Sequence, residues 1–206
     1  MRLILVRHPK PQVAAGICYG RTDLTVAPQE QAQVLASLLA SLPAGAALYS
    51  SPLRRCAELA ARLPHRPLTF DARLAEMDFG AWEMQPWDAI ARAQIDAWAD
   101  DLADYHPGGG ESVLQMAVRV HAFYADLQRQ QGADASGDAD DNANVDAGVG
   151  PSVDHTAIII CHAGTMRLLS ACHAGLAPRE AALHAAQNPH AIAYGASLIL
   201  HHRSPL

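Results

Sequence analysis

Thr156-Ala157-Ile158-Ile159-Ile160-Cys161-His162-Ala163-Gly164 decides how the rest of this 206-residue chain is read. Three consecutive isoleucines in an apolar run without polar alternation suit a strand covered on both faces of a sheet. The run stops at a histidine, and the helical pattern Ala163–Gly175 follows at once. The same transition occurs twice upstream. Arg2–Val6 is a short apolar strand ending in Arg7-His8, and Ala46–Ser51 is a strand passing through Pro52 into a helix that reaches about Leu63. Between them Pro28 opens a helix to about Ser41, with proline in its first turn. Leu68–Asp71 is a third short strand. Helical stretches are expected at Gln85–Ala103 and Glu111–Gln131, with His106-Pro107-Gly108-Gly109-Gly110 between them, and Ala196–Arg203 supplies the last strand. Strands alternating with helices argue for an α/β protein: a three-layer α/β/α sandwich on a mostly parallel central sheet. Ligands of such sheets gather beyond the carboxyl ends of the strands, where the polar clusters fall here.

Composition bounds the function. With 50% hydrophobic and 17% charged residues the chain belongs to the ordinary globular class, and its length suits one domain spanning 1–206. No apolar run approaches the roughly 18 residues needed to span a bilayer, and the apolar part of MRLILVRHP is too short for a signal peptide. Cys18, Cys56, Cys161 and Cys172 form no CxxC pair, which fits a reducing, cytoplasmic setting better than a disulfide framework. The net charge is −6, and all of it resides between Gln131 and His155, which hold six aspartates and no Lys or Arg. The rest is neutral, with no basic run for a nucleic acid and no membrane signal. Residues 132–154 read as a disordered insertion. Their Asp138, Asp140, Asn142, Asn144 and Asp146 mimic a calcium loop, but Ala143 and Val149 stand where such a loop needs Gly and Glu.

Three strand ends carry the chemistry. Alone, Arg7-His8 reads as a surface pair, Ser50-Ser51-Pro52-Leu53-Arg54-Arg55 as a capped helix start, and Cys161-His162 as a strand cap. Together they bring imidazoles and guanidiniums to one edge, a pocket for a phosphate dianion. A neutral imidazole is a nucleophile near neutral pH, and the remaining cations would hold the transferring phosphoryl group. A leaving alkoxide then needs a proton from a carboxylic acid. Glu76, Asp78 and Glu83, set among apolar neighbours, each qualify by chemistry alone.

The motifs LVRHP (5–9), SSPLRRC (50–56), LAEMDFGAWE (74–83), GGGES (108–112) and IIICHAG (158–164) in this order resemble the histidine phosphatase superfamily, which includes the cofactor-dependent phosphoglycerate mutases. The resemblance runs from Arg2 to Leu169. It implies a phosphoglycerate mutase-like fold, His8 as the nucleophile that becomes phosphohistidine, and His162 as the second pocket histidine. It selects Arg55 over Arg54 as a phosphate ligand beside Arg7, adds Arg21 from a neighbouring loop, and makes Glu76 the acid, with Glu83 in reserve and Asp78 structural. Glu111 and Ser112 lie where the family's Gly-Glu-Ser approaches the site. No metal and no cofactor is implied. Two departures stand out: Pro9 and Pro11 replace the Gly and Thr common after Arg-His, and Ala163 stands where Gly is frequent.

The start Arg-His-Pro-x-Pro with Cys18-Tyr19-Gly20-Arg21-Thr22-Asp23-Leu24 is similar to α-ribazole phosphatases, which implies a metal-independent phosphomonoesterase acting on α-ribazole 5′-phosphate or a similar small ester of cobalamin biosynthesis. A phosphoglycerate mutase, a protein phosphohistidine phosphatase and a non-catalytic phosphate-binding or interaction protein stay open as alternatives. Trp82, Trp87 and Trp98 read either as core or as the wall of a base-binding pocket. Oligomeric state is not legible.

Overall fold

Successive side chains of the two central strands point into opposite halves of the molecule, and that alternation builds two cores. In the computed structural model, which describes residues 1–64, 67–134, 156–188 and 191–201 (only the backbone at 131–134), the strands are β1 (Arg2–Arg7), β2 (Ala47–Ser50), β3 (Leu68–Phe70), β4 (Thr156–Cys161) and β5 (Ser197–Leu200). The helices are α1 (Pro28–Ser41), α2 (Arg54–Ala60), α3 (Arg92–Asp100), α4 (Val113–Asp134), α5 (Ala163–His173) and α6 (Pro178–Gln187). Leu3 and Leu5 of β1 join Ala157, Ile159 and Cys161 of β4 in a core with α4, α5 and α6. Ile4, Val6, Ile158 and Ile160 face the other way, onto Leu38 of α1 and Cys56, Leu59 and Ala60 of α2. Ile158, Ile159 and Ile160 are all completely buried, each worth about 1.5–3 kcal/mol relative to exposure. The sequence therefore had to be apolar without alternation at this point.

The sheet order is β3-β2-β4-β1-β5, parallel except for β5, which runs antiparallel at the edge beside β1. This is the expected three-layer arrangement. Boundaries differ where propensity misleads. Gln85–Ala103 is not one helix: a 3-10 turn at Trp87–Ala89 precedes α3, and further 3-10 turns occupy Ala72–Leu74, Gly80–Trp82 and Pro107–Gly109. Helix α6 was not expected, although Pro178 at its start and Glu180, whose carboxylate accepts from the Ala177 N–H at 3.1 Å, mark its first turn. Helix α4 continues to Asp134, so residues 132–134 form its last turn; the remainder of the expected insertion, including the Asp/Asn cluster from Asp138 to Asp146, lies outside the described residues. The 3-10 turns, α3 and the 106–110 loop form a layer over the carboxyl edge of the sheet, with its own small core of Cys18, Trp82 and Ile90. Its packing is close: a Cβ on Gly108, whose φ is +61°, would lie 2.2 Å from the Phe79 carbonyl oxygen. All four cysteines are free and buried. Among the described residues no helix is long and apolar enough to cross a membrane.

Candidate active site

Register places the site. Arg7 pairs with Cys161 and Ser50 with Ile160, so the three strands end at one level. The ladder extends one residue further: the His8 N–H donates to the Cys161 carbonyl at 3.0 Å and the Ser51 N–H to the Ile160 carbonyl at 3.0 Å. His8, Ser51 and His162 are therefore the first residues off three adjacent strands. The His8 and His162 ring centroids stand 5.1 Å apart, and both rings are buried.

His8 donates its Nδ1 proton to the Pro9 carbonyl oxygen at 2.7 Å, which leaves Nε2 with its lone pair free. Burial and then the positive charge of Arg55 lower its pKa to about 3; the Pro9 hydrogen bond opposes them, and Arg7 adds a smaller lowering. The ring is neutral at ordinary pH. Pro9, a departure from the common motif, costs a backbone donor but holds φ near −65° next to the carbonyl that fixes this tautomer.

Arg55 is fully buried, and among the described residues it has no carboxylate partner. Its Nη1 donates to the Thr22 carbonyl at 2.7 Å, its Nη2 to the Gly20 carbonyl, and its Nε to His162 Nδ1 at 3.2 Å. A guanidinium has five N–H donors, so these three contacts leave two for an anion. His162 accepts at Nδ1 and therefore carries its proton on Nε2, 2.8 Å from Ser51 Oγ. Burial, followed by neighbouring His8 and Arg55, holds its pKa well below the usual value. At the start of α2 the Arg54 N–H donates to Asp23 at 2.7 Å and the Leu53 N–H to Ser51 Oγ at 3.3 Å, so neither is left for an anion.

Arg7 lies 3.8 Å from the Tyr194 ring centroid and donates to the Ile192 carbonyl through Nη1, while its Nε is buried and has no hydrogen-bond partner among the described residues. The Tyr194 ring lies 5.6 Å from that of His8, tilted by 47°, and its hydroxyl shares a 2.7 Å hydrogen bond with Tyr19. Sequence reasoning missed Tyr194 and Ser51. The first sits in a loop with no pattern, and the second read as a plain helix cap.

Glu76 reaches the pocket edge from the loop layer. Its Oε1 accepts from the Met77 N–H at 3.0 Å and its Oε2 from the Gly164 N–H, at the start of α5, at 3.1 Å. A Cβ at Gly164 would lie 2.4 Å from Oε1, so only glycine lets the carboxylate approach this backbone. Arg119 of α4, also missed, fixes the segment behind it. It donates to the carbonyls of Arg73, Ala75 and Glu76 and pairs with both oxygens of Glu111 at 2.6 and 2.8 Å. Thr165 adds a hydroxyl donor to Leu74 and Ala75. Ser112 and Gln115 cap the start of α4 reciprocally, at 3.1 and 3.2 Å.

The other candidates are placed differently. Glu83 accepts from the N–H groups of Arg21, Thr22 and Phe79 and from the Thr22 hydroxyl. Arg21 is half exposed, 3.7 Å from Asp78, and has no hydrogen bond or ring contact with either histidine. Asp78 caps the Gly80 N–H at 2.8 Å. Trp82 is buried in the loop core, whereas Trp87 and Trp98 line a cavity that also reaches Glu76 and Gly164.

The "probable phosphoglycerate mutase GpmB" of Salmonella paratyphi C (strain RKS4594) is 32% identical over 144 residues, 65% of this chain and 66% of the relative. The match thus spans just under two thirds of the length of the curated relatives. The alpha-ribazole phosphatase from Shigella flexneri superposes with a TM-score of 0.69 at 27% identity, covering 97% of this chain and 89% of that one. The mycobacterial glucosyl-3-phosphoglycerate phosphatase superposes with a TM-score of 0.66 at 26% identity, covering 88% and 83%. The model of the histidine phosphatase superfamily (branch 1) matches residues 3–136, most of the chain, and with two buried histidines and an arginine meeting where three parallel strands end, the chain belongs to that superfamily.

Proposed function

We propose that the chain is a phosphomonoesterase working through a phosphohistidine at His8. One observation carries the reading: His8 is buried, its Nδ1 proton is tied to the Pro9 carbonyl, and its Nε2 is left free on a ring that feels the charges of Arg55 and Arg7. Nε2 attacks phosphorus in line with the ester oxygen; a P–N bond forms, the P–O bond to the alcohol breaks, and protonated Glu76 gives its proton to the leaving alkoxide. Glu76, now ionised, takes a proton from water as that water attacks the phosphohistidine. The P–N bond breaks, the electron pair returns to Nε2, and inorganic phosphate leaves with Glu76 protonated again. The two unused N–H groups of Arg55 supply donors for phosphoryl oxygens, and Arg7 adds its positive charge beside His8. The Nε2 proton of His162 is shared between Ser51 and the phosphoryl group. Glu83, already accepting four donors, braces the 19–22 loop.

The substrate proposed is α-ribazole 5′-phosphate or a similar small ester. Support comes from the Shigella flexneri neighbour, which aligns over nearly all of both chains, and from the aromatic cavity beside Glu76. A phosphoglycerate mutase is the second reading, favoured by the 32% identity to relatives of that name. The test is phosphate release from α-ribazole 5′-phosphate, with phosphoglycerate isomerisation in parallel. Turnover should be lost in His8→Ala by on the order of 10³-fold or more, together with an acid-labile phosphoenzyme that wild type forms. Normal rates in His8→Ala would refute covalent catalysis there. Bisphosphate-primed isomerisation without net phosphate release would establish the mutase instead.

A further inference from the structure

Two tyrosines from distant parts of the chain meet beside Arg7 and Arg55. The Tyr194 loop clasps the backbone at the end of β1: the Gly195 N–H donates to the carbonyls of Arg7 at 3.1 Å and His8 at 3.2 Å, and the Arg7 N–H donates to Ala196 at 3.0 Å. That clasp lays the Tyr194 ring against the Arg7 guanidinium. Tyr19 directly precedes Gly20, whose carbonyl accepts from Arg55, and its ring lies 5.6 Å from the Arg55 guanidinium carbon. The two hydroxyls join at 2.7 Å in a bond exposed to solvent, so an anion arriving from solution can reach it. A phenol carries a single O–H donor. Of the two protons in this pair one is spent on the partner and the other is left to solvent, since among the described residues neither hydroxyl makes a further hydrogen bond. Burial and then the bond to Tyr194 push the Tyr19 pKa above its usual value, against the opposing charges of Arg7 and Arg55. Tyr19 therefore keeps its proton at ordinary pH while feeling both guanidiniums.

We propose that the joined hydroxyls of Tyr19 and Tyr194 form a further phosphoryl-binding group of this site. The phenol that accepts from its partner gives its own proton to a phosphoryl oxygen beside Arg7 and Arg55. The proposal rests on the phosphate pocket assigned above, and not on the later fate of the phosphoryl group. A hydrogen bond to an ionised acceptor is stronger than one between neutral groups, so a dianion draws this proton away from water. Accepting a proton from its partner also makes the second hydroxyl a better donor. Either phenol can be the terminal donor, because each ring stands against one of the two arginines. Removing one hydroxyl therefore leaves the other free to donate, and removing both leaves no donor. A phenylalanine at either position keeps the ring and its contact with the arginine, which isolates the hydroxyl.

Inorganic phosphate titrated calorimetrically into the full chain reads this directly. Tyr19→Phe and Tyr194→Phe should each weaken binding about threefold, and the double variant about thirtyfold, more than the product of the single losses. In the same ratios kcat/KM on para-nitrophenyl phosphate should fall, with melting temperatures close to wild type because every ring is kept. A second measurement needs no substitution: phosphate should red-shift the tyrosine absorption of wild type, since a phenol donating to an anion is polarised toward its phenolate. Absence of that shift overturns the proposal. Phosphate binding that the double variant retains within twofold overturns it too, and with His8-dependent turnover intact leaves the phosphatase standing. Single losses that simply multiply to the double loss would mean two separate contacts and overturn the shared proton. The expected binding pattern without His8-dependent turnover would keep the tyrosine site and remove the phosphatase reading. A wild type that binds no phosphate overturns the inference whatever the turnover.

Discussion

The two sides of this pocket are built on opposite principles. On the sheet side, His8, Ser51 and His162 are the first residues beyond three registered strands, and Arg55 is locked by two carbonyls and an imidazole. On the loop side, Glu76 stands on a segment without regular strand pairing, held by side chains from α4 and α5, beside a cavity lined by Phe79, Trp87 and Trp98. Chemistry common to many esters needs atoms fixed by the scaffold, whereas recognition of one alcohol needs a surface that can vary without disturbing the sheet. The difference teaches where each kind of substitution should act.

Glu76→Gln attacks the comparison hardest. If the loop side delivers the proton, loss of the acid should lower kcat for alkyl phosphates by about 10²–10⁴-fold and for esters of acidic phenols far less. Rates on a leaving-group series measure the slope directly. Equal losses across the series would move the proton to another group and erase the loop side's part in the chemistry.

Arg119→Met comes next. Glu111 would remain largely buried without its cation, and three carbonyls around Glu76 would lose a donor. We expect about 2–4 kcal/mol lower stability by urea denaturation. We also expect a kcat deficit on alkyl esters that persists when the protein is fully folded. Arg119→Lys should restore part of the stability but less of the rate, since an ammonium cannot reproduce the forked contacts.

These same features mark what the sequence could and could not tell. The sheet side was legible because burial on both faces demands an unbroken apolar run: Ile158–Ile160 announced β4, and a His or Arg directly after such a run has one place to go. The pairing of Arg7 with Cys161 then follows from parallel register. The loop side was not legible to the same degree. Trp82, Trp87 and Trp98 are one residue type, yet the first is core and the other two line a cavity, because they stand on three separate short elements, the 3-10 turns Gly80–Trp82 and Trp87–Ala89 and helix α3. Glu83 and Glu76 are both carboxylates among apolar neighbours; only the placement of four donors around Glu83 separates a loop brace from a candidate acid. Arg119 and Tyr194 act through contacts more than 40 residues away in sequence, a distance no local pattern encodes.

Gly164→Ala tests the joint between the two sides. A Cβ 2.4 Å from Glu76 Oε1 would push the carboxylate off the α5 backbone without touching the hydrophobic cores. The expected result is about a tenfold loss in kcat on alkyl esters with the melting temperature nearly unchanged and phosphate affinity retained. A full loss of folding would mean that the helix start, and not the acid's position, depends on this glycine.

The effect confined to the sheet side is the dependence of stability on pH. His8 titrates near 6.5 in the unfolded chain and near 3 in the folded one, because burial and Arg55 oppose its charge. Between those values the unfolded state binds a proton that the folded state refuses. The contribution of the neutral ring is therefore fully present above about pH 6.5 and is lost as pH falls toward 3, by up to about 1.4 kcal/mol per pH unit. Replacing His8 by Asn, which cannot take up that proton, should flatten the stability profile over this window by up to that slope, as read from denaturant midpoints at pH 7, 6 and 5. Glu76→Gln should leave this component of the profile in place, because it lies across the pocket from the ring. If His8→Asn instead left the acid limb of the profile unchanged, the ring would already be charged in the folded state, and the free lone pair on which the sheet side's chemistry depends would not exist.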